Sequence, residues 1–199
     1  MNKIFLKSIQ IAFIGILFSF TTSSVEPPSW NISGSHSKIR FEVTHFFTPV
    51  EGSFNDYSAE LKFDPADLDN SSVSFNVKVA SVKTDSDKRD KHLQSADFFN
   101  SEKYPNMKFE STSISKHEEG FIAKGNLTVK STTKTIEVPF NVLGVGDHPS
   151  REGVVIMGIK GEFKINRNDY NVGTGDYIAT TVIGDEVSIT IILEASRKK

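Results

Sequence analysis

The chain reads as all-β: an antiparallel up-and-down barrel of about eight strands, with a short helical insert near residues 85–99. Three observations predict this. Apolar and polar residues alternate with period two along most of the chain. Clusters of Gly, Pro, Asp and Asn punctuate the alternating runs. Two runs, 157–165 and 187–195, are each about nine residues long, which favours the staves of a barrel over the shorter strands of a sandwich.

The elements follow in order. A short run at 30–33 offers a ninth strand. Ile39, Phe41, Val43 and His45 then share one face, with Lys38, Arg40, Glu42 and Thr44 on the other. Val50-Glu51-Gly52 reads as a turn. Ala59, Leu61 and Phe63 alternate up to the turn signal Asp64-Pro65. After a polar turn at 67–71, Val73, Phe75, Val77 and Val79 form the next strand. The helical insert starts near Asp85 and runs to about Leu93. A second short turn at 95–99 has Ser95 as N-cap and Asp97 in its first turn. Its charged run at 85–90 is most simply a solvated face.

Met107 and Phe109 lead the strand after the insert. Phe121, Ala123, Gly125, Leu127 and Val129 form another, and Ile136, Val138, Phe140 and Val142 the next. Val155, Met157, Ile159, Gly161, Phe163 and Ile165 make a long strand, and Val187 to Ala195 close the barrel. Gly125, Gly158 and Gly161 lie inside strands, where glycine marks a bulge, a bend or space for another group. A barrel of about eight strands is just wide enough to be filled by side chains or to hold one small ligand.

Residues 1–24 read as a secretory signal. Lys3 and Lys7 form a positive start, an apolar run follows from Ile9 to Phe20, and small residues precede Val25. The apolar run, about a dozen residues, falls short of the roughly 20 needed to span a bilayer. Residues 25–199 then form one domain. The chain has no cysteine, which excludes disulfides, thiolate chemistry and lipid attachment at a cysteine. Cleavage would take two lysines and no acids from the 23 basic and 25 acidic residues, leaving a net charge of about −4. That balance argues against nucleic acid as a partner. No nucleotide-binding or nucleophile-elbow motif is present, so a non-enzyme is expected. Arg89, Asp90, His92 and Asp97 fit no zinc spacing, and no metal is expected.

Several motifs together resemble the YceI-like proteins, a family of lipocalin-like periplasmic barrels that bind isoprenoids. They are His36-Ser37, Phe41-x-Val43-x-His45, Gly52-x-Phe54, Ser81-x-x-Thr84, the block from Arg89 to Phe99, Tyr104-Pro105, Phe109-x-Ser111, Gly125-x-Leu127, Thr133-Lys134 and Arg167-x-Asp169-Tyr170. The block Arg89-Asp90-x-His92-Leu93-x-Ser95-x-Asp97-Phe98-Phe99 is the most specific. Ser131 or Thr132 stands where the family usually has glycine before its Thr-Lys turn. Asn171 replaces another glycine, and asparagine tolerates the left-handed conformation such a turn requires.

The resemblance implies an antiparallel barrel around an apolar tunnel that holds a polyisoprenoid or isoprenoid-quinone tail, export to the periplasm, and no cofactor beyond that lipid. Transient contact with the membrane or a membrane protein, and a homodimer, stay open as partner readings. With the richer apolar face inward, the expected lining is Phe41, Val43, His45, Phe54, Phe75, Val77, Phe109, Phe140, Met157 and Phe163. Leu93, Phe98 and Phe99 form a lid or wall at the mouth, or cover an open barrel end. His36 sits at the rim, either on a head group or stitching the first turn to a neighbour. His45, a lone histidine on an apolar face, is more often a core residue than a ligand. Arg89 with Asp90, and Arg167 with Asp169, are expected to fix the insert and the turn after the longest strand. An arginine near the mouth would also suit a phosphate-bearing lipid. The alternative is a barrel filled by its phenylalanines, of which the whole chain has sixteen, that acts through its surface as an envelope stress-response or interaction module.

Overall fold

The computed structural model describes residues 26–118, 120–179 and 181–199; the expected signal at 1–24 lies outside them. The strands are β1 (Ser29–Ile32), β2 (Lys38–His45), β3 (Thr48–Phe54), β4 (Tyr57–Lys62), β5 (Ser72–Lys78), β6 (Val82–Lys83), β7 (Asn106–His117), β8 (Gly120–Val129), β9 (Thr132–Asp147), β10 (Val154–Asn166) and β11 (Ile183–Lys198). One α-helix, α1 (Asp87–Gln94), lies between β6 and β7. No helix among the described residues is long and apolar enough to cross a membrane.

The fold is the expected antiparallel barrel. Eight strands form the circuit β1-β4-β5-β7-β8-β9-β10-β11, which closes where Asn31 of β1 pairs with Ser196 of β11. The β2–β3 hairpin stands beside this circuit, paired to the first half of β11 from Ile183 to Ile192, and carries the two-residue β6 on its far edge. β1 and β2 therefore share β11, one on each half of its length. β10 and β11 pair continuously from Val154↔Lys198 to Asn166↔Glu186.

Two local readings are corrected. Val50-Glu51-Gly52 is not a turn but lies within β3. Gly52 pairs with Phe41 across the ladder, and a Cβ at Gly52 would strike the Phe41 ring. The glycine is there so that the ring can lie across the strand, a packing role that its turn propensity conceals. The hairpin turns instead at Phe46-Phe47, between the pair His45↔Thr48. Ser95 is also not an N-cap. Ser86 caps α1, its hydroxyl accepting from Arg89 N–H, and Ser95 ends the helix with its hydroxyl donating to the His92 carbonyl at 2.7 Å.

The interior glycines meet different needs. Gly125 faces the irregularity at Ser111/Ser113 in β7, where a Cβ would collide with the Glu110 carbonyl. Gly158 sits at the bulge where the β9–β10 register slips past Leu143. Such bulges add the local bend that a closed sheet requires.

The interior divides into two halves. At the end near the chain termini it is solid: Phe63, Phe121 and Phe140 meet with ring centroids 5.1–5.7 Å apart, surrounded by Trp30, Met157, Leu193 and Ala195. The other end, toward the start of β11 and beneath α1, is hollow.

Candidate functional site

An apolar cavity of about 180 Å³ fills the hollow half. Inward residues of β11, Val187, Ile189 and Ile191, form one wall, and Ile39, Phe41 and Val43 of β2 continue it. Phe75, Phe109 and Ile191 lie at the boundary with the packed half, where they also contact the solid core. Along β11 the wall runs from Ile183 to Ile191, roughly 26 Å of strand, or about 20 Å of barrel axis at the usual strand tilt. The site can therefore take an elongated apolar chain.

Two segments cover the top. The first is α1 with the turn that follows it. Leu93, Phe98 and Phe99 all border the cavity. The Phe99 ring meets Phe54 edge-on at 5.9 Å, and Phe54 in turn packs on Phe41 at 5.5 Å. Phe98 is buried and packs against His92 and Tyr177 at 4.9 and 5.1 Å. The second segment runs from Arg167 through Val172. The two are joined by Thr174 N–H donating to the Asp97 carbonyl at 2.8 Å.

Each segment is anchored by a buried charged group. Asp90, 4% exposed, holds α1 to β6: its Oδ1 accepts from Thr84 N–H at 2.8 Å and from the Thr84 hydroxyl at 2.7 Å. Arg89 closes the same knot by donating to the Thr84 hydroxyl and carbonyl at 2.8 and 2.6 Å. Arg89 and Asp90 thus both fix the insert, through Thr84 rather than through each other. Burial pushes the Asp90 carboxyl up, but hydrogen bonds from Thr84 and the Lys83 ammonium outweigh it and hold the pKa below its ordinary value. A depressed carboxylate contributes stability that is whole above the ordinary value of 3.8 and lost as pH falls through the lower folded value. Asp90→Asn is therefore expected to lose about 1–3 kcal/mol at neutral pH. The gap to wild type should narrow below about pH 4, as urea midpoints across pH would show.

Arg167, also 4% exposed, anchors the second segment. Its guanidinium donates to the carbonyls of Gly184, Val172 and Ile183 at 2.8–2.9 Å and to the Asn168 side chain at 3.1 Å. Burial pulls its pKa down, opposed by the charge of Asp185. Asp169 pairs instead with Lys134 at 2.8 Å. Asn171 adopts the left-handed conformation, φ 55°, that its place in the motif anticipates. Lys130, in the β8–β9 turn, takes φ 55° and donates from Nζ to the Asn171 carbonyl.

Of the residues singled out from sequence, Phe41, Val43, Phe54, Phe75, Val77, Leu93, Phe98, Phe99, Phe109 and Phe163 border the cavity. Four lie elsewhere. Phe140 and Met157 point inward but belong to the solid half. His45 is exposed at the hairpin tip, its ring edge-on to Phe46 at 4.6 Å, because β2 has by then passed the barrel rim. His36 is exposed outside the barrel, with Nδ1 2.9 Å from Glu194 Oε1 and 3.2 Å from the Ser33 hydroxyl. It stitches the first turn to β11. The sequence reading missed Tyr170, Val172, Ile183 and the β11 wall as cavity residues. The alternation of Val187, Ile189 and Ile191 carried the signal for that wall.

Protein YceI of Escherichia coli is 30% identical over 190 residues, covering 95% of this chain and 96% of its own. The crystal structure of BcnA from Burkholderia cenocepacia matches with a TM-score of 0.75 and 28% identity, over 82% of this chain and 99% of that one. A polyisoprenoid binding domain from Saccharophagus degradans, implicated in plant cell wall breakdown, shares the fold with a TM-score of 0.58 at 13% identity, over 84% of this chain and 97% of that domain. The model of the YceI-like domain matches residues 30–195, from Trp30 in β1 to Ala195 in β11. With every stave of the barrel wholly or largely inside that match, the chain belongs to the YceI-like family.

Proposed function

We propose that the protein binds an isoprenoid lipid, of quinone or polyprenyl type, in the cavity under α1, and stores or carries it without chemical change. The carrying observation is the cavity itself: an elongated apolar space, roofed by two anchored segments, above a half filled by the Phe63, Phe121 and Phe140 cluster. An apolar cavity of this kind holds hydrocarbon better than water. Each methylene moved into it is worth about 0.8 kcal/mol, so a five-carbon prenyl unit contributes roughly 3–4 kcal/mol before losses of freedom. Few polar contacts are then needed, in keeping with the apolar walls. The shared fold of the Saccharophagus polyisoprenoid binding domain supports the same ligand class.

The solid half is the floor of this site, and a barrel filled throughout would leave no such space. The leader-like sequence at 1–24 supports work outside the cytoplasm, in the periplasm, which fractionation and N-terminal sequencing of the mature chain would check. The binding test is titration of the purified domain with an isoprenoid quinone and with a polyprenol. Saturable binding of either is expected. Phe98→Ala with Phe99→Ala should weaken it at least tenfold, mainly through faster release, because both rings cover the cavity. Failure of every prenyl compound to bind would overturn the proposal.

A further inference from the structure

The β2–β3 hairpin makes its turn with two phenylalanines. Phe46 adopts φ 52°, the left-handed region that a bulky side chain rarely enters, and Phe47 is 97% exposed. A two-residue hairpin turn with positive φ at its first position favours glycine there, followed by a small polar residue. Two aromatic rings at this position therefore oppose both backbone preference and solvation. Backbone strain of this sort persists only where the surrounding structure over-determines it, and it clusters at functional sites.

The tip is not isolated. Phe46 N–H donates to the Val182 carbonyl at 2.8 Å, and Val182 and Ile178 are themselves exposed. The tip adjoins the cavity wall along the chain: Val43 stands three residues before Phe46 on β2, and Ile183, the first residue of β11, follows Val182 directly. Apolar residues thus lead from the cavity wall to the outer rim, interrupted on β2 by Thr44 and His45.

We infer that the Phe46–Phe47 tip, with Ile178 and Val182, docks on a phospholipid bilayer so that a lipid can pass between the bilayer and the cavity. The inference rests on the lipid-binding reading above. Size favours a bilayer over a second copy of the chain. The four side chains expose roughly 450 Å², well short of the roughly 800 Å² per partner that a stable protein interface uses. A small convex wedge of aromatic side chains suits insertion among acyl chains, where aromatic rings settle at the interface. The net negative charge of the chain points to apolar insertion and not to attraction by anionic lipid. Docking is therefore on neutral, zwitterionic lipid and insensitive to salt.

The test is co-flotation of the mature protein with phosphatidylcholine–phosphatidylethanolamine vesicles, comparing wild type with the double variant Phe46→Gly, Phe47→Ser. The variant supplies the residues the turn prefers, so its melting temperature should equal or exceed that of wild type. Its affinity for a detergent-solubilised quinone should be unchanged, because neither residue borders the cavity. Vesicle association should fall at least tenfold, and the rate of quinone transfer between vesicles should fall with it. Wild type that does not float, or a variant that floats equally well, overturns the inference. So does a tip-dependent dimer seen by sedimentation without vesicles, which would give the patch to a second copy. Vesicle association with no quinone binding would overturn the lipid-carrier reading while leaving the docking surface standing.

Discussion

Arg167→Met is expected to lower the unfolding free energy by about 3–5 kcal/mol, the largest single-residue loss outside the solid core. The guanidinium holds three backbone carbonyls: Val172 in the turn segment, and Ile183 and Gly184 where β11 begins, at the irregular start of its ladder with β2. Methionine fills a similar volume but leaves three acceptors, one buried and two half-buried, without this donor. Arg167→Lys should recover little, since one ammonium cannot reach three carbonyls set around a planar fork. Gly173 fits this arrangement, because a Cβ there would strike the Arg167 guanidinium. Chemical denaturation of both variants checks the expectation, and a loss below about 1 kcal/mol for methionine, less than one net hydrogen bond, would contradict it.

Ile189→Trp is expected to block lipid uptake while leaving the barrel folded. Ile189 lies mid-wall in β11, paired with Phe163 on one side and Phe41 on the other, and it borders the cavity. An indole there grows into empty space, so the overpacking cost should stay at or below about 1–3 kcal/mol. Binding of an isoprenoid quinone should fall at least fiftyfold. The same substitution at Met157, in the solid half beside Ala195, has no space to fill and should unfold the protein with no selective effect on binding. Comparing the two variants separates loss of cavity from loss of fold.

The difference between those positions marks what the sequence could convey. Period-two alternation gives the face on which a side chain lies, and Phe75, Val77, Phe140, Met157 and Phe163 all point inward as it implies. It does not give height along the barrel axis. Height depends on cross-strand register and on the irregularities in the β7–β8, β9–β10 and β11–β2 ladders, which are non-local. Hence Phe163 meets open space, whereas Phe140 meets Phe63 and Phe121. His45 keeps the parity of Ile39 and Phe41 yet stands beyond the rim. The β2–β3 hairpin was hidden for a related reason: its true turn lacks turn residues, and its glycine serves a ring on the neighbouring strand. By contrast, the insert at 85–99 was legible because a charged helical stretch ending in Phe98-Phe99 has no place in an alternating strand. What the sequence could not reveal there was Thr84 as the common partner of Arg89 and Asp90.

The central claim, that the hollow half of the barrel holds an isoprenoid lipid, is tested most directly by mass spectrometry. The sample is an organic extract of the protein purified without detergent from the cells that make it. The expected result is one prenyl lipid at close to one mole per mole of protein, absent from the same preparation of Ile189→Trp. An extract free of prenyl lipid, or one whose lipid is equally abundant in Ile189→Trp, would contradict it.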